Sequence, residues 1–264
     1  MEIKGSVAVI TGGGNGIGEA VAKYFVRNGA KVAIVDMVQK NIDRVLGEIK
    51  AMGGEAIGVQ ANVSSEADTA KFYQAAIAAF GQINVVVCCA GIIRDGTMLA
   101  LDKETGKVSR KMGLDKWQPV IDVNLTGTFL TIRDGAEAMV NGGWQGLLVA
   151  ISSVNKVGQV GQLNYSSAKV ADALLPKIVV GEFLLRGIRN IRCIGIAPGY
   201  TATPMLTGMN QDALKAIVAD VHLGRLVEPD EIARLIGHAV ENEAINATTL
   251  EITGGLCYPG GIAK

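Results

Sequence analysis

The chain has 264 residues, 49% of them hydrophobic, and its 25 basic and 25 acidic side chains cancel to a formal net charge of zero. That is the length of one globular domain, and the balance excludes the basic excess of a nucleic-acid binder and the like-charge block of a disordered tail. Glycine is abundant, at 34 residues against 6 prolines with no low-complexity tract, which points to tight turns and close backbone approaches.

Met1-Glu2-Ile3-Lys4 runs directly into an apolar strand, leaving no room for a secretory leader. The longest uncharged apolar stretch, around Ile83 to Ile93, is far too short to cross a membrane. A soluble cytoplasmic protein is expected. Short apolar runs at Val7–Ile10, Lys31–Asp36, Glu55–Gln60, Ile83–Cys88, Gly146–Ser152, Ile191–Ala197 and Thr249–Ile252 read as strands. Between them, Gly16–Asn28, Val38–Met52, Ser64–Phe80, Asp115–Met139, Tyr165–Leu185 and Glu228–Glu241 carry a helical period. Strands that are apolar almost throughout, separated by helices, imply a doubly wound α/β domain: a seven-stranded parallel sheet covered on both faces. The rhythm runs from end to end, so 1–264 reads as one domain. Two connections, Ile92 to Leu114 and Gly199 to Arg225, exceed the usual length and are candidates for substrate contact. Pro176 falls inside the Tyr165–Leu185 helix and is expected to bend it.

Ligands bind such sheets beyond the carboxyl ends of the strands. After the first strand stands Thr-Gly-Gly-Gly-Asn-Gly-Ile-Gly, Thr11 to Gly18, opening into a helix. Glycines 12, 16 and 18 let backbone amides close on a pyrophosphate at a helix N-terminus. In a chain this rich in glycine, three at fixed positions arise by chance roughly half a time, so the strand-to-helix setting carries the signal. The second strand ends in Asp36, 18 residues past the last loop glycine, where a carboxylate can accept both adenosine ribose hydroxyls and repel a 2′-phosphate. That favours NAD over NADP. Tyr165 and Lys169, at i and i+4, share a helix face just after Ser152 and Ser153 at a strand end. A cation beside the phenol favours its ionised form, so the pair suits proton transfer. Cys88, Cys89, Cys193 and Cys257 lack Cys-x-x-Cys spacing, and the two histidines, His222 and His238, lie far from them; buried thiols and no metal site are expected.

These motifs, in this order, resemble the short-chain dehydrogenases/reductases across almost the whole chain. Thr11 to Gly18 fits the family's Thr-Gly-x-x-x-Gly-x-Gly loop, Asn124 its helix asparagine, and Tyr165 with Lys169 its catalytic pair. Arg94-Asp95 and the Gly-Gln-Leu-Asn-Tyr run look like 3-oxoacyl thioester reductases. The resemblance implies a Rossmann-type fold and hydride transfer between a nicotinamide and a secondary alcohol or ketone. Tyr165 would move the hydroxyl proton, a serine would polarise the substrate oxygen, Lys169 would hold the nicotinamide ribose, and Asn124 would position a water. Cofactor contacts would come from Gly12, Asn15, Gly16, Ile17, Gly18, Asp36, Met37, Asn62, Val63, Cys89, Ala90 and Gly91, then from Tyr165, Lys169, Pro198, Gly199, Thr201 and Thr203. The catalytic serine is expected at Ser153, from the Ile-Ser-Ser run, although counting back from Tyr165 favours Ser152.

The chain departs from the family where Cys88-Cys89 replaces an asparagine pair, and where Asp102 to Lys116 carries five cations against three carboxylates. Such a cationic flap would attract the phosphates of a coenzyme A thioester, the alternative being a solvated hairpin around Thr105-Gly106. The substrate expected is a 3-hydroxyacyl or 3-oxoacyl thioester. A small cyclic or sugar alcohol is the second choice, and a catalytically silent NAD-binding subunit the third. A homo-oligomer, tetramer or dimer, is implied, and Leu174, Leu175, Ile178, Val179, Phe183 and Leu184 suit either its contact face or the core.

Overall fold

A computed structural model of the chain describes residues 1–256. In chain order, β1 (Val7–Thr11), α1 (Gly16–Arg27), β2 (Lys31–Asp36), α2 (Gln39–Ala51), β3 (Ala56–Gln60), α3 (Glu66–Phe80) and β4 (Val85–Cys88) form the first half. A hairpin of β5 (Leu99–Leu101) and β6 (Val108–Lys111) follows, then α4 (Leu114–Ile121), α5 (Gly127–Gly142), β7 (Gly146–Ile151) and α6 (Leu163–Leu185). The chain continues through β8 (Ile191–Pro198), two short helices α7 (Pro204–Thr207) and α8 (Gln211–Ala219), α9 (Pro229–Glu241) and β9 (Thr248–Ile252).

Seven strands form one sheet in the order β3-β2-β1-β4-β7-β8-β9, with every pairing parallel. The order reverses between β1 and β4, so their carboxyl ends diverge into the crevice where ligands of doubly wound sheets bind. Alternation along each strand divides the core in two. Ile10, Ile34, Val87, Val149 and Ile196 pack with Val21, Phe25, Ile42 and Ile236 from α1, α2 and α9. Val9, Val35, Val86, Leu148 and Cys193 face the opposite way, against Phe72, Tyr73 and Met139 of α3 and α5. Burial on both faces is why these strands read as continuous apolar runs.

Local chemistry sets the helix ends. Ser65 caps α3 by accepting from the Asp68 amide, and Glu228 with Glu231 forms a capping box ahead of Pro229 on α9. The far end of α9 is held from the sheet. The buried Arg192 guanidinium, on β8, donates to the carbonyls of Ala239, Val240, Asn242 and Ile245 at 2.8 to 3.2 Å. It thereby satisfies carbonyls at the end of α9 and in the turn beyond it.

One expectation is revised. The single helix over Asp115–Met139 is α4, a π-helical turn at Asp122–Thr126, and α5, because the Gly127 amide bonds the Asp122 carbonyl one residue further back than in an α-helix. α6 runs through Pro176 as one 23-residue helix. Between residues 92 and 114 the chain forms an antiparallel hairpin, tightened by the Asp102 carboxylate, which accepts from the Glu104 and Thr105 amides and the Thr105 hydroxyl. Those bonds hold Asp102 below the usual carboxylate range, the Thr105 amide foremost. No helix of the described residues is long and apolar enough to cross a membrane.

Candidate active site

The crevice begins at Gly12. Its φ of +64° is the left-handed region, and a Cβ there would lie 2.8 Å from the Ala90 amide nitrogen. Only glycine lets the loop after β1 rest against the chain leaving β4. Asn15 then caps α1, whose first turn opens on the crevice. At the end of β2, Asp36 accepts from the Gly14 amide through Oδ2 and from the Val38 amide through Oδ1, both at 3.0 Å. The nearest arginine downstream is engaged elsewhere. Arg44 bonds both oxygens of Glu19 at 2.6 and 2.9 Å, Glu48 at 2.9 Å and the Gly14 carbonyl at 2.9 Å. Its hydrogen bond to Glu19 leads the causes that hold Arg44 above, and Glu19 below, their ordinary values.

A cavity of about 930 Å³ runs from this loop past the ends of β4, β7 and β8. Gly12, Asn15, Gly16, Ile17, Gly18 and Asp36 line one end, and Cys89, Ala90 and Gly91 the middle. Ser152, Ser153, Tyr165, Lys169, Pro198, Gly199, Thr201 and Thr203 close the other end with Leu206, Met209 and Ile217. The two serines differ in what their hydroxyls do. Ser152 donates to the Lys169 carbonyl at 2.6 Å, whereas Ser153 only accepts, from the Asn155 amide at 3.1 Å, leaving its proton for a ligand. The Lys169 Nζ lies 5.8 Å from the Tyr165 ring centroid, and it donates to the Ile151 carbonyl at 2.6 Å and to Asp172 Oδ2 at 2.9 Å. Burial pulls this ammonium down, but Asp172, by charge and hydrogen bond, together with Tyr165 and Cys88 offsets it, so Lys169 stands above its usual 10.5.

A family model, short chain dehydrogenase, matches residues 6–214. The chain belongs to the short-chain dehydrogenase/reductase family. It is an oxidoreductase with a fold that binds a nicotinamide cofactor. It is 32% identical over 267 residues to the (3R)-3-hydroxyacyl-CoA dehydrogenase of Mus musculus, with 97% of this chain and 98% of that one covered. It is 36% identical over 258 residues to an acetoacetyl-CoA reductase of an Acinetobacter species, covering 95% and 97%. Among solved structures, a short-chain type dehydrogenase/reductase from Mycobacterium marinum superimposes with a TM-score of 0.86 at 26% identity, covering 98% of each chain.

Four residues that the family pattern nominates stand outside the cavity walls. Met37 points to solvent at 60% exposure, while Val63 is buried against Gly127 of α5. The Asn62 side chain accepts from the amide and hydroxyl of Ser64 in a local turn. Asn124 is fully buried in the π-helical turn, and its amide is taken up by the backbone of Ile92, accepting from N at 2.8 Å and donating to O at 3.0 Å. Its side chain thus fixes the chain beyond Gly91.

Conversely, Asp95, Asn155, Gln159 and Gln162 line the cavity, and three of them are linked: Asn155 donates to Gln162 at 2.8 Å, which donates to Asp95 at 3.1 Å. Only structure brings these distant positions together. Asp172 did leave a trace, as a lone carboxylate among Val170, Ala171, Ala173 and Leu174, three residues from Lys169. Of the cysteines, Cys88 and Cys193 are buried and Cys89 is half-buried, while Cys257 lies outside the described residues. Burial raises the Cys193 and Cys89 thiols to about 12.

Proposed function

We propose that this protein is an NAD(H)-dependent 3-hydroxyacyl thioester dehydrogenase, interconverting the 3-hydroxy and 3-oxo forms of a coenzyme A-type thioester. The observation that carries the proposal is the convergence, in one cavity, of the glycine loop and Asp36 with Ser153, Tyr165 and Lys169. Support for NAD comes from the partners at the end of β2. Asp36 presents its carboxylate where the adenosine ribose would lie, and Arg44, the residue that would otherwise clamp a 2′-phosphate, is neutralised by Glu19 and Glu48. The loop suits the group: a side chain at Gly12 would collide with the Cys89 and Ala90 backbone, so glycine there keeps the loop that would hold the pyrophosphate seated against the end of β4.

When bound, the nicotinamide supplies the hydride acceptor for alcohol oxidation or the donor for ketone reduction. The chain's part is proton transfer and positioning. Tyr165 takes the substrate's hydroxyl proton as the carbinol hydride leaves, and returns it in the reverse direction. Ser153 donates its free O–H to the substrate oxygen, where negative charge develops. Lys169 presents its remaining N–H to the nicotinamide ribose and sets a positive charge beside Tyr165. Pro198, Gly199, Thr201 and Thr203, with the backbone around Cys89 to Gly91, would hold the nicotinamide half of the cofactor in the cavity. Asn124 acts at one remove, by fixing that backbone through Ile92.

The acyl chain runs along Leu206, Met209 and Ile217. The thioester's phosphates are drawn to the hairpin side, where Arg110, Lys111 and Lys116 line a second cleft of about 250 Å³ beginning at Gly96, next to Asp95 of the main cavity. The relatives named as acting on CoA thioesters support this choice over a small cyclic or sugar alcohol. The enzyme works in the cytoplasm as one domain per chain, assembled as a homo-oligomer. Leu174, Ile178 and Leu184 of α6 are exposed and suit the contact, whereas Leu175, Val179 and Phe183 pack on the core. Initial rates with NAD and NADP over 3-hydroxyacyl-CoA thioesters, cyclic alcohols and sugar alcohols test the reading. Preference for NAD with a thioester is expected, and turnover of small alcohols alone would overturn the substrate assignment.

A further inference from the structure

Lys169 does not stand alone over the cavity. Its ammonium is buried, and two of its three N–H donors are already committed, to the Ile151 carbonyl at 2.6 Å and to Asp172 Oδ2 at 2.9 Å. Asp172 has no exposed surface, and its second oxygen, Oδ1, is buried without a hydrogen-bond partner. For the fold this arrangement is a poor bargain. Replacing a buried ion pair by apolar groups is commonly neutral or stabilising, and a carboxylate oxygen buried without a partner is worse than one that is paired.

The surroundings of Lys169 contain no other fixed anion among the described residues. From its own helix, Tyr165 and Asp172 face it; from the end of β4 come the Cys88 and Cys89 thiols, which burial keeps protonated, Cys89 raised to about 12 and Cys88 well above its usual value. From β7 comes the Ile151 carbonyl, while Ser152 bonds the lysine's backbone and the uncharged Thr128 faces Asp172 from α5. Desolvation therefore favours the neutral amine, and Asp172 leads the groups that oppose it, with Tyr165 and Cys88 adding to its effect.

We infer that Asp172 is a positioning residue of the active site, holding Lys169 charged and aimed so that a single N–H remains for the nicotinamide ribose. The inference rests on the role proposed above for Lys169. It assigns the reaction a second carboxylate, distinct from Asp36, that touches neither cofactor nor substrate. It also predicts that the alkaline side of the pH profile belongs to the Lys169–Asp172 pair. Because the folded-state value of Lys169 lies above 10.5, the stability the pair contributes is whole at neutral pH and lost only as strong alkali removes the proton.

The decisive experiment follows the Lys169 side chain directly, by NMR of protein labelled with 13Cε-lysine, the signal being assigned by its loss in Lys169→Arg. In the wild-type protein the signal is expected to stay in its charged position up to about pH 10. In Asp172→Asn, which keeps the shape and removes the charge, it should titrate at least about one pH unit lower, and Asp172→Glu should restore the wild-type course. Asp172→Ser, with room for a water, repeats the test if the asparagine variant does not fold. Turnover supplies the second reading: the alkaline limb of kcat should move down by a similar interval in Asp172→Asn, with KM for NAD changed less than about threefold. An Asp172→Asn signal that stays charged to the same pH as wild type overturns the inference. Failure of the wild-type enzyme to turn over any thioester would instead overturn the proposed function, since the NMR titration needs no substrate.

Discussion

The two ends of the cavity are built on different principles. At the nucleotide end, backbone amides, a glycine turn and the Asp36–Gly14 bond make the surface, and the one nearby arginine is tied down by carboxylates. At the substrate end, side chains from short helices and loops make it, and the exposed hairpin, with Leu99, Leu101 and Val108 facing solvent, lines a separate cleft beside it. The first end is set by where the main chain can go; the second is set by which side chains happen to meet. Mutations should therefore act sharply and generally at one end, and selectively at the other, with the proton-transfer residues between them.

The largest effect is expected at that junction. Tyr165→Phe removes the proposed acid–base group and should lower kcat by about 10³-fold or more while leaving NADH binding, read by nicotinamide fluorescence, within a few-fold of wild type. Loss of binding together with turnover would place Tyr165 in the cofactor cradle instead. Ser153→Ala should lower kcat by about 10²-fold, whereas Ser152→Ala, which frees the Lys169 carbonyl, should mainly lower stability by about 1 kcal/mol in denaturant melts. If Ser152→Ala alone stops turnover, the two serines exchange roles.

The nucleotide end comes next. Asp36→Ser should cut kcat/KM for NAD about tenfold and narrow the gap to NADP, as loss of hydrogen bonds to a charged acceptor implies. Unchanged preference in steady-state kinetics would show that discrimination lies elsewhere. The smallest and most selective effect belongs to the hairpin. Neutralising Lys107, Arg110 and Lys111 together should raise KM about two- to fivefold for an acyl-CoA and leave a truncated thioester unaffected, with added salt erasing the difference. Equal changes for both substrates would make the hairpin a solvated surface and no more.

The same contrast explains what could be read before any coordinates. Strands over Lys31–Asp36 and Ile191 onward were legible because burial on both faces leaves an unbroken apolar run. The nucleotide loop was legible because a left-handed turn against a neighbouring strand demands glycine at position 12. Side-chain commitments leave no such mark. Asn124 reads as a site residue, yet its amide is turned to Ile92, and the division between α4 and α5 depends on a single hydrogen bond that skips one residue. Nor does spacing show that the Ser152 hydroxyl is spent on a backbone carbonyl while that of Ser153 is free to donate. Of the hairpin only the turn around Thr105-Gly106 was legible, because its strands are 3 and 4 residues long and solvent-facing, so no apolar alternation marks them.

The Arg192 contact with the end of α9 extends beyond the helix it finishes. β8 carries that guanidinium at its beginning and Gly199 just past its end, where a Cβ would come within 2.8 Å of the Thr253 backbone. One strand is thus gripped twice by the chain that follows it, once through helix carbonyls and once by the segment leaving β9. The position of the cavity wall at Pro198 and Gly199 is in that sense a mechanical setting made by the last quarter of the sequence, so residues outside the cavity hold its adjustment.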